Sequence, residues 1–115
     1  MLTTNDLVRD ISGLPEQDEK LITAFLQGAV YCWVKNRKNE PFALRDLVGG
    51  DNTIWITTPL EILYERQVAM GKSTDEAHSQ AGKDAGWLLK KVLRDDGRRF
   101  DSSKEALVSH YTWAP

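Results

Sequence analysis

The chain of 115 residues has a single cysteine, Cys32. No intramolecular disulfide can form, and a zinc site built from several cysteines is excluded. The longest unbroken apolar run, from Ala29 to Val34, is too short to span a bilayer, so no membrane partner is expected. Only two histidines are present, His78 and His110, and neither lies in a two-histidine zinc spacing. The Gly49-Gly50-Asp51-Asn52 stretch reads as a turn. It matches neither a phosphate loop nor a dinucleotide fingerprint. The first residues lack the basic and apolar regions of a signal peptide, and with the cysteine usage this points to a reducing, cytoplasmic setting. No metal and no cofactor is expected.

What is there suits one globular domain covering residues 1–115. Hydrophobic residues make up 41% and charged residues 28%, which argues against disorder. The net charge of -2 disfavours a wholesale polyanion binder, but the charges are unevenly placed. Acids dominate residues 1–20 and 51–76. Bases dominate residues 83–99, with Lys83, Lys90, Lys91, Arg94, Arg98 and Arg99 among them. Opposed fields on one small protein favour self-association or a charged partner.

The periodicity predicts a mainly α fold, a compact bundle of about five helices with short loops, with one small β-hairpin as the α+β alternative. Thr4 can cap a first helix over Asn5–Ser12, with Leu7, Val8 and Ile11 inward and Gly13 as its stop. Leu14-Pro15 opens a second, whose apolar residues fall in pairs four apart, from Leu21/Ile22 to Trp33/Val34. The strand formers at Val30–Val34 leave a hairpin through Asn36–Asn39 as the competing reading. Phe42–Val48 forms a short segment, and Thr53–Thr57 a brief strand or loop. Three starts carry a capping box: Thr58 with Glu61, Ser73 with Glu76, and Ser102 with Glu105. They open helices to about Ala69, to about Asp96, and through the C-terminal segment.

The helix from Thr74 to Asp96 carries the functional expectation. Ala77, Ala81, Ala85, Leu88, Leu89, Val92 and Leu93 share its inward side. Gly82 and Gly86 are read as sites of close backbone approach. On the opposite side Trp87 sits among Lys83, Lys90, Lys91 and Arg94, and Arg98 and Arg99 extend the group. Tryptophan and arginine mark protein hot spots; bases with an indole also suit nucleic acid. Trp55 and Trp113 are further candidate interface aromatics. A helix-turn-helix built from Phe42–Gly49 and Gly86–Asp96, with Arg98–Asp101 as a wing, fits the order of elements but not the close spacing such a pair needs.

Catalytic chemistry finds little support. Cys32 reads as a core residue, and nothing links it to His78 as a nucleophile pair. Glu61 and Glu65 share a helix face, but Glu61 has a capping role. The expectation is a non-catalytic regulatory or adaptor protein acting through protein–protein contact, including homo-oligomerisation. The alternative is nucleic-acid binding by the basic face of residues 74–96.

Overall fold

The computed structural model describes residues 1–4, 6–50, 55–105 and 107–115. The elements are α1 (Glu16–Arg37), α2 (Leu44–Leu47), α3 (Glu61–Ala69), α4 (Thr74–Asp95), β1 (Phe100–Glu105) and β2 (Val108–Trp113). The architecture is therefore mainly α with one antiparallel hairpin. Among the described residues no helix is long and apolar enough to cross a membrane.

Helix α1 follows Pro15, which stands at the N-cap with no side-chain cap bond. Glu16, Asp18 and Glu19 in the first turn and Lys35 and Arg37 in the last complement the helix dipole. Ile22, Leu26, Val30 and Val34 are buried, one from each expected pair. This four-turn stripe carries the helix through Val30–Val34, so no hairpin forms at Asn36–Asn39. Cys32 lies off the stripe and is exposed, which corrects its assignment to the core.

Helix α4 is the spine, packed against α1, α2 and α3. All seven residues assigned to its inward side are buried. Ser73 caps it: its Oγ accepts from Glu76 N–H at 3.3 Å and donates to the Glu76 carboxylate at 3.1 Å. The Thr58 box is displaced. Thr58 Oγ1 accepts from Leu60 N–H, while the Glu61 carboxylate reaches Thr57 N–H. At α3, the N-cap Leu60 and Leu63 are buried, Val68 is exposed and Gln67 takes an inward position. Gln67 and Gln80 both donate to the buried Asp84 on α4.

Two expected helices are absent. Residues 6–11 are not helical; Asn5 lies outside the described residues. An eight-residue helix is marginal on its own. Here the polar side chains find partners across the fold instead. Thr4 Oγ1 lies 2.7 Å from Ser102 Oγ, and Ser102 Oγ donates to Asp6 at 2.6 Å. Leu7 is exposed. The expected C-terminal helix is the β1–β2 hairpin, in register from Phe100↔Trp113 to Glu105↔Val108. Two-residue alternation buries Phe100 and Tyr111 on one face, and β2 is rich in strand formers. That tertiary burial overrides the local Ser102–Glu105 capping signal. The hairpin's edges are partly covered: Phe42 exchanges both backbone hydrogen bonds with Tyr111 at 2.8 Å, and Leu2 bridges Phe100 in parallel. Phe42 lies beneath, its ring 6.1 Å from Phe100 and 5.9 Å from Tyr111. Of the expected brief strand or loop at Thr53–Thr57, Thr53 and Ile54 lie outside the described residues, Trp55 is in no strand, and Ile56 and Thr57 form a turn.

Candidate functional site

Helices α3 and α4 are joined by Met70-Gly71-Lys72-Ser73, with Gly71 at a φ of 89° that favours glycine. This is a tight two-helix unit, and the hairpin follows α4 directly. The close spacing missing between Phe42–Gly49 and Gly86–Asp96 is present one element later. The supporting helix is α3, and α2 is a single turn held by Asp46, whose carboxylate accepts from Ala43 N–H at 2.8 Å.

The seven residues of the expected basic face do not act as one surface. Lys91 turns toward the acidic N-terminal part of the chain. Its Nζ lies 2.6 Å from Asp10 Oδ1 and 3.4 Å from Glu19 Oε1, with its side chain only 15% exposed. The hydrogen bond from Lys91 holds the Asp10 carboxyl below its usual value. Arg94 pairs with Asp95 and Arg98 with Asp96. Lys91 thus ties the basic stretch to the acidic N-terminal one, while Arg94 and Arg98 pair with acids of their own stretch. Arg99 is exposed.

Lys83, Trp87 and Lys90 remain together, and the fold adds cations that sequence reasoning missed. A cleft of about 550 Å³ lies between α4, residues 43–50 and the far end of the hairpin. Arg45, Lys83, Lys90 and Lys104 line it, with no carboxylate among its described lining residues. None of the four forms an ion pair with a described residue. Lys90 Nζ and the Arg9 guanidinium each lie 5.0 Å from the Trp87 ring centroid. The charge of Lys90 also acts on Asp6, whose carboxyl is held low first by its hydrogen bond from Ser102.

The cleft's floor is apolar, with Ala43, Leu44, Val48 and Leu89 contributing. Gly82 and Gly86 line it as well. A Cβ added to Gly86 meets no atom within 4 Å, so close packing does not explain this glycine. It costs the helix roughly 1 kcal/mol relative to alanine and leaves the space open. Trp55 closes one wall. It belongs to the core at 3% exposure, and its buried indole N–H has no hydrogen-bond partner among the described residues. Trp113 is half-buried against the core.

The candidate catalytic groups are dispersed. Cys32 is on the exposed side of α1, while His78 stacks on Tyr64 at 4.5 Å between α3 and α4. Glu61 is engaged at the start of α3, and Glu65 is exposed. His110 is half-buried on β2. Among the described residues no cluster of three His, Cys, Asp or Glu side chains is placed to hold a metal ion. Compared with known proteins, the chain matches no family model, no curated protein and no solved structure.

Proposed function

We propose that this chain is a non-catalytic nucleic-acid-binding module that engages duplex DNA through the outer face of α4 and the adjoining hairpin. The observation that carries the reading is the tight α3–turn–α4 unit followed at once by a hairpin, with Lys83 and Lys90 on the second helix and Lys104 on the hairpin. A second helix of such a pair suits the major groove, and a neighbouring hairpin suits the flanking backbone. Arg45, Lys83, Lys90 and Lys104 supply phosphate contacts that position the duplex without reading its sequence. The likeness of the α3–turn–α4 unit to such readers is one of form, and the cations give it its chemistry. Trp87 has no role as a base-stacking platform here, because Lys90 and Arg9 already lie over its ring.

The test is fluorescence anisotropy of labelled duplex and single-stranded DNA across a salt series. Duplex binding is expected to weaken as salt rises, with a log–log slope of about -3 to -4 for four neutralised phosphates. Lys83→Glu with Lys104→Glu should abolish binding and leave the helical circular dichroism unchanged. No duplex binding at low salt would reject the reading.

Protein–protein contact is the second reading. Leu107 favours it, projecting at 91% exposure from the hairpin tip beside the same cleft. A site-specific photocrosslinker at Lys83 would separate the two: adducts to protein, including a second copy of this chain, support contact between proteins.

A further inference from the structure

We infer that the cleft between α4, residues 43–50 and the hairpin is a binding site for a small organic anion with a flat apolar body, of the aryl-carboxylate class. Its volume, about 550 Å³, lies within the range of small-molecule pockets. The lining joins two features that such a ligand needs together. An apolar floor that includes Leu89 and Val48 accepts a hydrophobic ring, and Lys83, Lys90 and Lys104 offer ammonium donors to a carboxylate.

Two further features belong to the cleft wall. Gly86 lines the cleft and adds no side chain to it, and a Cβ placed there would meet open space. Trp55, which lines the cleft, has a buried indole N–H with no acceptor among the described residues. Chemistry beyond binding is not implied.

The site does not rest on the DNA reading, but it shares Lys83, Lys90 and Lys104 with it. An anion in the cleft and a phosphate on its rim would therefore compete. In this way the ligand would become a negative effector of nucleic-acid binding by occupying common cations.

The experiment titrates the protein, in the absence of DNA, with 2-naphthoate, with the neutral 2-naphthamide and with the cationic 2-naphthylmethylamine, followed by NMR chemical-shift mapping of backbone and tryptophan indole signals. The naphthoate is expected to shift signals of Gly86, Val48, Ser109 and the Trp55 indole. It should bind at least about tenfold more tightly than the amide, the factor expected of one charge-assisted contact. Lys83→Gln with Lys90→Gln should remove that preference while leaving amide binding in place. Gly86→Leu should block both ligands. Equal affinity for the three probes, shifts outside the cleft, or no shift at millimolar naphthoate would overturn the inference. DNA anisotropy is read separately: duplex binding without naphthoate binding rejects the ligand site alone, and naphthoate binding without duplex binding rejects the DNA reading alone.

Discussion

Asp96 ends α4 by gripping Arg98. Its Oδ1 accepts from the Arg98 backbone N–H at 2.8 Å and from Nε at 3.0 Å, and its Oδ2 accepts from the guanidinium at 2.8 Å. Gln27 of α1 donates to the same carboxylate at 2.7 Å. Burial works against this charge, but the hydrogen bonds from Arg98 and Gln27 outweigh it and hold the carboxyl at about 2, against an ordinary 3.8. A carboxylate depressed on folding contributes stability above its unfolded pKa and loses it as the pH falls through the folded value. The prediction is a loss of about 1 to 2 kcal/mol between pH 4 and pH 2, after allowance for solvent screening. Urea denaturation at several pH values checks it. In Asp96→Asn this component of the acid slope should vanish, and stability at neutral pH should fall.

The buried polar contact between α3 and α4 gives a second prediction. Gln67 Nε2 lies 3.5 Å from Asp84 Oδ2, and both residues are almost fully buried. Gln67→Glu sets a second carboxyl against the first. Burial and like charge raise its pKa, so the penalty is largest above the raised value and fades as the pH falls through it. The variant should lose about 2 to 4 kcal/mol at pH 7 and recover part of this at pH 5, as measured by denaturant midpoints. Equal losses at both pH values would show that packing, not charge, governs the position.

The helical core was legible because its signal is periodic. One repeat of 3.6 residues marked the buried side of α4, and another marked the stripe Ile22, Leu26, Val30 and Val34. Capping was legible at Ser73, where the bonds are local. It misled at Ser102 and Thr4, where the hydroxyls serve each other across the sheet, 98 residues apart in sequence. The hairpin itself was hidden because Phe100 and Tyr111 are buried by Phe42, a partner 58 residues from the first of them. For the site, Lys83, Trp87 and Lys90 were readable from one helix. Arg45 and Lys104 were not, since only the fold brings the 43–50 segment and the hairpin beside α4. The partners of Lys91 were hidden for the same reason: its acids lie 81 and 72 residues away.

Leu107 occupies the left-handed region at φ 68°, and its side chain is 91% exposed. A leucine there costs roughly 1 to 2 kcal/mol, partly offset in a glycine variant by the greater freedom of its unfolded chain. Leu107→Gly is therefore expected to stabilise the protein by about 0.5 to 1 kcal/mol, seen as a higher urea midpoint at unchanged m-value. Leu107→Asn, which tolerates the same conformation, should move in the same direction. If the exposed leucine serves contact with another protein, the stabilised variants will lose that contact.

The division of the basic residues gives the last prediction, because Lys90 and Lys91 are adjacent in sequence and separate in role. Lys90 lines the cleft, whereas Lys91 is largely buried between Asp10 and Glu19. Lys90→Gln should weaken duplex binding and lower the salt slope by about one unit, with amide exchange around Asp10 unchanged. Lys91→Met keeps the aliphatic stem but removes the charge that ties Asp10 and Glu19 together. It should leave duplex binding within about twofold and speed exchange in the segment around Asp10, since local opening follows the loss of local contacts. Reversed results, with Lys91→Met abolishing binding and Lys90→Gln silent, would place the phosphate contacts on the α1 side of α4 and reject the cleft as the binding face.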